Sequence, residues 1–414
     1  MTVATNRIVA MDVLRGCAVM GILWMNITAF AQPSAAYFNP AAMGSLSIAD
    51  KLTWLVGFVA VDGKMRGLFS LLFGASMLLV IDKAEMAGRN GRRVQMIRSA
   101  WLFLFGLAHY LLLWWGDILM VYAVVGLAAL PLAGRQPIAL VKWAFLAFLV
   151  HFLLVGSTAV VMMMWHSAAA TPGATPALVQ GYSDFMGGMS DPQSPAILAE
   201  KERYRDGFAA IVGYNISQYP VEWLRNLIFT SFDTLGFMLL GMAMLKSGFL
   251  TGRWDADQYR RTARHCFMVG TPPLVALGLY VMASDYPPLG TMGAVLAWSF
   301  PFRIPMVVGW AALILWLAGR HAAHSALARI SAAGRLALTN YLGSSLLMTA
   351  IFYGWGMGLF GLFPPFSLLP FILTGWAIML VWSASWTRRF ATGPAEWLWR
   401  SLAAGKMQSI RKSE

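Results

Sequence analysis

The chain contains ten apolar segments that are each long enough to cross a lipid bilayer. A helix of about 20 predominantly apolar residues spans the hydrocarbon core of a membrane. Backbone N–H and C=O groups find no water at that depth, so a spanning segment is either a helix or a strand of a closed barrel. The segments are rich in Leu, Ala, Met and Gly and lack the alternation of barrel strands, which predicts helices. They lie at 13–31, 65–81, 99–115, 117–133, 138–163, 226–245, 266–283, 289–318, 336–356 and 362–384.

The composition excludes a soluble globular protein. Of the 414 residues, 58% are apolar and only 12% are charged, whereas a soluble domain carries about 25% charged residues. Two cysteines, Cys17 and Cys266, are too few for a disulfide framework, and the sequence has neither a metal-ligand motif nor a phosphate-binding glycine-rich loop. We therefore predict an all-α, polytopic membrane protein with about ten transmembrane helices and no tightly bound metal or cofactor.

The net charge of +13 is distributed unevenly between the loops. Loops on one side, from Arg7 to Lys412, hold 22 of the 31 Lys and Arg residues, and the alternate loops hold five; the other four lie in or beside apolar segments. Lys and Arg accumulate in the cytoplasmic loops of membrane proteins. Both termini are therefore predicted to be cytoplasmic, the N-terminus is not expected to be a cleaved signal peptide, and the bases do not indicate a nucleic-acid partner.

The ten segments divide into two groups of five around one long loop. We predict an N-terminal membrane half at 1–165, an extracytoplasmic loop at 166–223, a C-terminal membrane half at 224–386 and a cytoplasmic amphipathic tail at 387–414. The loop is either a connector or a lid over an outward-facing site. Trp397 and Trp399 beside basic residues in the tail are typical of a helix that lies on the inner leaflet.

Polar side chains within the membrane are the main candidates for function, because a charge at the bilayer centre costs roughly 2.5–3.5 kcal/mol on insertion scales. Asp12 and Arg15 share one face of the first helix and form either a local ion pair or a seat for an anionic donor. Asn26 follows Arg15 by eleven residues, which is about 16 Å along a helix. Arg335 and Asn340, at the inner edge of the ninth segment, either line the same cytoplasmic cavity or join helices.

Three charges fall within the run Asp62-Gly-Lys-Met-Arg66, between glycines, which predicts an interrupted helix. Irregular backbone at membrane depth is tolerated only where it is buried in protein or lines a cavity. Arg66 is therefore either a binding group or an anchor at the outer interface. Arg303 interrupts the eighth segment and would pair with Asp233 or Asp285 if its role is structural.

His109 lies near the middle of the third apolar segment, and Asp117 follows at the tight turn to the fourth. An imidazole, with an ordinary pKa near 6.5, suits a general base at neutral pH. Asp117 would either orient His109 or pair with Arg66. Arg93 and Arg98, at the inner end of the same segment, are either topology signals or a seat for phosphates. We expect all these side chains to converge on one hydrated tunnel reachable from both sides of the membrane.

The motifs together resemble the YeiB family of bacterial inner-membrane proteins. The resemblance rests on Asp12-Val-Leu-Arg15-Gly, Leu68-Phe-Ser-Leu-Leu-Phe-Gly74, His109 to Tyr122, Asp233-Thr-Leu-Gly-Phe-Met, Gly334-Arg-Leu-Ala-Leu-Thr-Asn340 and Gly393-Pro-Ala-Glu396. The matches follow in order over nearly the whole chain. The resemblance implies a multi-pass protein of the bacterial inner membrane.

The YeiB family is similar, more remotely, to membrane acyltransferases of the acyltransferase-three and heparan glucosaminide acetyltransferase types. These transfer an acyl group from a cytoplasmic thioester to a sugar or another acceptor across the membrane. Arg15 matches their first-span arginine, but Asn26 stands where the acyltransferase-three pattern has a catalytic histidine. An amide cannot accept a proton, so the resemblance leaves His109 as the candidate base, and Arg93 or Arg98 matches the paired arginines of the third span.

Two functions remain open. The first is a membrane-embedded acyltransferase that uses acyl-CoA as co-substrate and a periplasmic or lipid-linked acceptor, such as a glycan. In this hypothesis His109 and Asp117 deprotonate the acceptor, Asn26 stabilises the oxyanion and Arg66 binds an acidic acceptor. The donor phosphates are assigned to Arg15, Arg93, Arg98 and Arg335. The second is a transporter or export factor for a small anionic solute or lipid, with the same charges along its path; the absence of histidine at position 26 favours it.

The charge distribution predicts the outcome of reporter fusions. A fluorescent protein fused at the C-terminus or inserted after Gly88 should fluoresce in the cytoplasm, and alkaline phosphatase inserted after Gly173 should be active outside it, because 22 of the 31 bases lie on the first side. A cytoplasmic signal from the Gly173 insertion would contradict the predicted topology.

Overall fold

The chain folds entirely as helices and turns in the part that the structure describes. The computed structural model describes residues 9–321 and 324–411. Arg7 and Lys412, which contribute to the charge pattern, lie outside these residues. No strand occurs within the described residues, where one isolated antiparallel bridge joins Phe390 to Arg411. The predicted all-α class is confirmed.

Eighteen α-helices occur in the described residues and are numbered here in chain order. They are α1 Val9–Ala31, α2 Ser34–Phe38, α3 Ile48–Val56, α4 Lys64–Met86, α5 Gly91–Leu112, α6 Leu119–Ala129, α7 Pro137–Ala170, α8 Pro176–Ser190, α9 Pro195–Arg205, α10 Phe208–Gln218, α11 Val221–Lys246, α12 Ala256–Ala283, α13 Pro288–Gly293, α14 Phe300–Arg320, α15 Ser325–Arg335, α16 Ala337–Phe352, α17 Leu369–Arg389 and α18 Pro394–Ala404. Two π-helical turns, Gly57–Val61 and Ala294–Trp298, precede α4 and α14.

Seven helical stretches of the described chain are long and apolar enough to cross a membrane. They are Val9–Ala31, Ile48–Met86, Pro137–Ala170, Val221–Lys246, Ala256–Ala283, Phe300–Arg320 and Pro365–Arg389, with shorter apolar helices at Leu119–Leu132, Pro288–Trp298 and Ala337–Phe352. Each of the ten segments identified in the sequence coincides with a helix. The chain is therefore a polytopic helical membrane protein, while the number of crossings and the side on which the termini lie remain predictions.

The two predicted membrane halves share one core. α11 packs against α4 and α7, and α1 packs against α15 and α16. One buried apolar cluster joins Leu14, Leu71, Phe237 and Val307, which come from four different helices. Each half is one continuous stretch of sequence, but helices of both halves pack together in a single core.

Glycines allow the backbones of α4 and α11 to meet. A Cβ at Gly241 would lie 1.8 Å from the carbonyl oxygen of Leu71, and one at Gly74 would lie 2.1 Å from that of Met238. Helices in membranes associate through close backbone packing of this kind, since the bilayer supplies no hydrophobic driving force between them. The contact holds together α4 and α11, the two helices that carry Arg66 and Asp233 of the buried charges described below.

The segment between α7 and α11 is a folded cap. Glu200 on α9 accepts hydrogen bonds from the Ser34 backbone N–H (3.0 Å) and hydroxyl (3.1 Å). Tyr204 is buried between Tyr353 and Phe360, with ring centroids 4.7 and 4.9 Å away. Burial raises the pKa of Glu200 above its ordinary value. The helices of 166–223 are therefore docked on the rest of the chain, and the choice between a connector and a lid over an outward-facing site stays a prediction.

The C-terminal tail docks on the helix ends. The indole N–H of Trp399 donates to the Arg98 carbonyl (2.9 Å), and that of Trp397 donates to the Gln408 carbonyl (2.7 Å). Glu396 accepts from the backbone N–H groups of Leu338 (2.7 Å) and Thr339 (3.2 Å) at the start of α16. The two indole N–H groups are thus bonded to carbonyl groups of the chain itself. The sequence analysis predicted that the helix carrying them lies on the inner leaflet. Burial raises the pKa of Glu396.

We expect Gly241→Ala to destabilise the protein, because its Cβ would overlap the Leu71 carbonyl and force α4 and α11 apart. Overpacking of this kind costs about 1–3 kcal/mol. Thermal unfolding in one detergent measures the effect. The matched control is Gly156→Ala on α7, where a Cβ meets nothing within 4 Å; a Tm for Gly241→Ala equal to that of the control would contradict the packing argument.

Candidate functional site

At the N-terminal end of α1, Asp12 and Arg15 form the ion pair that their spacing predicts. Their side chains meet at 3.1 Å, and Arg15 also donates to the Ser76 hydroxyl on α4 at 2.6 Å. The Arg15 side chain stays 26% exposed, whereas that of Asp12 is 5% exposed. Arg15 is therefore held in place by two helices while its side chain stays partly exposed.

Arg335 and Asn340 lie at the same end of the bundle as Asp12. α15 crosses α1 so closely that a Cβ at Gly334 would lie 1.8 Å from the Asp12 carbonyl oxygen. Arg335 donates to the Ala391 carbonyl (3.2 Å). Asn340 donates to the Ala333 carbonyl and to the Ser383 hydroxyl, both at 3.0 Å, which joins α16 to α15 and α17. Of the two alternatives for Asn340, the bonds support helix joining.

Arg93 and Arg98 occupy different environments at the start of α5. Arg93 is exposed one turn after the Asn90 cap. The guanidinium of Arg98 stacks on the ring of Trp399 with 4.0 Å between them. Arg98 is thus fixed by the C-terminal tail, whereas Arg93 faces solvent or headgroups.

The interruption predicted near Asp62 is present. α3 continues as the π-helical turn Gly57–Val61, the chain turns at Gly63 (φ +69°), and α4 begins at Lys64. A Cβ at Gly63 would lie 2.9 Å from the Arg303 guanidinium, so glycine suits this position for both conformation and space. Lys64 is fully buried and donates to the Phe58 carbonyl of the π-helical turn at 2.5 Å.

Arg303 meets the interruption from α14. It donates to the Val295 carbonyl in the second π-helical turn and to the Ser299 hydroxyl, and its guanidinium lies 3.6 Å from Asp62. The prediction that Arg303 pairs with Asp233 or Asp285 is therefore wrong. Asp285 pairs with Lys51 at 3.3 Å, and Asp62 becomes the partner because Gly63 lets Arg303 approach the turn.

Arg66 is ion-paired with Asp233 of α11. Its guanidinium donates to both carboxylate oxygens and to the Thr234 hydroxyl. The Arg66 carbonyl, in turn, accepts from Tyr122 (3.3 Å) and Ser70 (2.9 Å). Because this charge is already matched, the predicted binding of an acidic acceptor by Arg66 requires the pair to open.

A cleft of about 690 Å³, open to solvent, reaches this charged cluster. Its wall includes Trp24, Tyr37, Trp54, Phe58 and Asp62. The Tyr37 hydroxyl donates to Asp62 at 2.8 Å, and burial together with the neighbouring Asp62 carboxylate raises the Tyr37 pKa well above its ordinary value. The cleft therefore ends on a carboxylate that α2 and α14 both contact.

His109 and Asp117 form a buried dyad. The two side chains are 1% and 0% exposed, and 2.8 Å separates His109 Nδ1 from Asp117 Oδ2. Asp117 Oδ1 accepts from the Met120 backbone N–H at 2.9 Å, which fixes the carboxylate at the start of α6. Of the two partners considered for Asp117, the structure shows His109, while Arg66 pairs with Asp233.

His109 lies in the last turn of α5, a correction to its predicted place near the middle of the span. The helix ends at Leu112, and the Leu113 and Trp114 N–H groups both donate to the His109 carbonyl at 2.9 Å. The chain then folds back through Gly116, which brings Asp117 beside the imidazole. The apolar run extends beyond the helix because Trp114 packs into the core as part of the turn.

Asn26 is buried on α1. It precedes Phe30 by one helical turn, and the Phe30 ring lies 4.2 Å from that of Trp114, which is 6.3 Å from His109. Trp24, Ile27 and Thr28 on the same stretch of α1 line the cleft. α1 therefore contributes to the wall of the cleft and, through Phe30, contacts the turn after α5.

The polar side chains form three groups instead of lining the single tunnel expected from the sequence. The groups centre on Asp12 and Arg15, on Asp62, Arg66 and Arg303, and on His109 and Asp117. Sequence reasoning assigned no role to Lys64, Trp114 or Tyr341. These three residues lie inside or beside the motifs quoted in the sequence analysis, and that position was the signal that could have identified them.

Comparisons with known proteins identify the family. The chain is 31% identical over 407 residues to "Uncharacterized protein YeiB" of Escherichia coli K12, an alignment that covers 96% of both chains. It is 29% identical over 424 residues to "Uncharacterized protein YxaH" of Bacillus subtilis 168, covering 99% of this chain and 98% of the relative. The chain belongs to the YeiB family. Residues 244–406 match the family described as "Protein of unknown function (DUF418)", and no solved structure matches the chain.

In this YeiB-family protein, Asp233→Asn should destabilise the fold strongly, because it leaves the Arg66 charge buried without a counter-ion. Breaking a buried pair lowers the free energy of unfolding by about 3–5 kcal/mol. The double variant Arg66→Leu/Asp233→Leu should recover part of this lost stability. The control is Asp285→Asn, since Asp285 is 89% exposed and exposed pairs contribute about 1 kcal/mol or less. Equal Tm values for Asp233→Asn and the control would overturn this assignment.

Proposed function

We propose that this protein is a membrane-embedded acyltransferase of the bacterial inner membrane. It would take an acyl group from acyl-CoA on the cytoplasmic side and place it on a hydroxyl or amine of a periplasmic or lipid-linked acceptor, such as a glycan. One observation carries the proposal: His109 is held by a buried carboxylate through Nδ1, while its Nε2 is buried without a hydrogen-bond partner among residues 9–321 and 324–411.

The dyad fixes the chemistry of the imidazole. An ionised carboxylate only accepts hydrogen bonds, so Nδ1 carries the proton and Nε2 presents its lone pair. The same arrangement of Asp and His orients the base in hydrolases of unrelated folds. Both side chains of the dyad are buried, at 1% and 0% exposed.

The proposed step conserves atoms and charge. Nε2 takes the proton from the acceptor hydroxyl or amine as the oxygen or nitrogen attacks the thioester carbonyl carbon. The C–S bond then breaks as the tetrahedral intermediate collapses, and the proton on Nε2 passes to the leaving thiolate. Asp117 stays ionised and stabilises the imidazolium formed in between.

The positions of the basic residues support a donor that enters from the α5 N-terminus. Arg98 and His109 are eleven residues apart on α5, or about 16 Å along its axis. An extended thioester with its phosphates at Arg98 and Arg93 would reach toward the dyad. Arg15, held by Asp12 and Ser76 at the predicted cytoplasmic end of α1, is the alternative phosphate contact.

His109→Gln should abolish thioester turnover, because glutamine keeps a polar group of similar size but cannot act as a base. Removing a general base lowers rates by roughly 10²–10⁴-fold. The measurement is thiol release from acetyl-CoA and longer acyl-CoAs by the purified protein in detergent, with inner-membrane extract as the source of acceptor.

The matched control is His151→Gln. His151 is also buried within the membrane region, but its ring packs on Phe300 at 4.3 Å and it has no bonded carboxylate. Turnover by His109→Gln at the wild-type rate would overturn the enzyme proposal. Loss of turnover in both His109→Gln and His151→Gln would indicate that the substitutions destabilise the protein.

Transport or export of a small anionic solute or lipid is the second candidate. It is favoured by the π-helical turns Gly57–Val61 and Ala294–Trp298, whose carbonyls bind Lys64 and Arg303. Interrupted helices whose free backbone groups surround charges are characteristic of transporter sites. Solute flux into proteoliposomes without consumption of acyl-CoA would support this function over acyl transfer.

A further inference from the structure

Two of the buried polar atoms that lack a hydrogen-bond partner within the described residues lie at the dyad. They are His109 Nε2 and Trp114 Nε1, and both residues are 3% exposed or less. The centroids of their rings are 6.3 Å apart. Buried polar groups in folded proteins are nearly always bonded, so a ligand that bonds to both atoms would satisfy them.

Tyr341 adds a third group. Its ring lies 5.2 Å from that of His109, and its hydroxyl oxygen accepts from the Ile118 backbone N–H at 3.3 Å. That bond uses an oxygen lone pair and leaves the hydroxyl hydrogen without an acceptor among the described residues. Tyr341 is 3% exposed, so this hydrogen does not point into bulk solvent.

The three side chains supply two donors, Trp114 Nε1–H and Tyr341 O–H, and one acceptor, His109 Nε2, and the rings of both donors lie next to the His109 ring. A carbonyl oxygen satisfies the donors, and an O–H or N–H group satisfies the acceptor. These are the two groups that meet in acyl transfer. If an apolar side chain filled this space instead, the two donors and the acceptor would all remain without hydrogen bonds.

We propose that Trp114 Nε1–H and Tyr341 O–H bind the thioester carbonyl oxygen and stabilise the negative charge that develops on it. This inference rests on the acyltransferase function and assigns its oxyanion donors, a role given to Asn26 in the sequence analysis. Donors fixed in a water-excluded site favour the tetrahedral intermediate, because they need no reorganisation as the charge forms.

The assignment also explains how the two membrane halves cooperate. The last turn of α5 supplies the base, the turn after it supplies one donor, and α16 supplies the other donor from the opposite half of the sequence. The Ile118–Tyr341 bond ties that donor to the turn carrying Asp117. The site is therefore complete only when α16 is packed against the α5–α6 hairpin.

Tyr341→Phe and Trp114→Phe test the assignment in the purified full-length protein with acyl-CoA as donor. Loss of one oxyanion donor lowers kcat by roughly 10²–10³-fold. We expect a fall of that size in each variant, with KM for acyl-CoA changed less than about threefold, because the donors act on charge that exists only in the transition state.

Two variants serve as matched controls. Tyr353→Phe and Trp223→Phe remove a buried hydroxyl and a buried indole N–H that also lack partners in the described residues, but their rings contact Tyr204 and Phe103 instead of His109. Both should turn over at the wild-type kcat. Tyr341→Phe removes one oxygen from a ring that keeps its packing, so it decides the question if Trp114→Phe fails to fold.

The outcomes separate this inference from the function beneath it. Unchanged kcat in Tyr341→Phe, with turnover abolished in His109→Gln, would overturn the donor assignment and leave the acyltransferase in place. A raised KM at constant kcat would likewise overturn it, since that pattern indicates ground-state binding. Absence of thioester turnover in the wild-type protein would overturn both the donor assignment and the proposed acyltransferase function.

Discussion

The absence of water in the bilayer core governs how this chain arranges its polar groups. A charge or a free carbonyl at that depth has to find its partner within the protein. Arg66 therefore binds Asp233, Arg303 and Lys64 bind carbonyls of two π-helical turns, and Asn340 bonds to two neighbouring helices. His109 Nε2 and Trp114 Nε1 are among the buried polar atoms that find no such partner in the described part of the chain, and these two lie beside the dyad.

The same requirement explains why the polar clusters lie where helices are irregular. A π-helical turn releases a backbone carbonyl from the regular pattern, and a basic side chain can then bind it. At the Asp62–Gly63 turn this draws Lys64 and Arg303 together, while α5 ends at Leu112 in a turn that lets Asp117 return to His109. The interruptions and the candidate chemistry thus arise from the same local departures from helix geometry.

Hydrophobic length predicted the helices well, since each apolar segment coincides with one, and glycines beside charges predicted the interruption at Asp62–Gly63. The His109–Asp117 pairing was one of two alternatives, because short range and a tight turn permit it. Long-range partners were beyond reach: Arg66 and Asp233 are 167 residues apart, and the residues Ile118 and Tyr341 are 223 apart. Periodicity shows which face of a helix is apolar but not which helix lies opposite, so Arg303 was given the wrong carboxylate.

The docking of the cap has a consequence for biosynthesis. Arg205 donates to the Phe360 carbonyl, and the Gly354 N–H donates to the Tyr204 carbonyl, so the cap binds a part of the chain made about 150 residues later. If the cap is exported as the charge pattern predicts, the segment between α16 and α17 that it binds has not yet been made at that moment. The cap therefore stays undocked until α16 and α17 have been inserted. Assembly of the outer face is then the final event of maturation, and a ribosome stalled before that point would leave the cap open to periplasmic proteases.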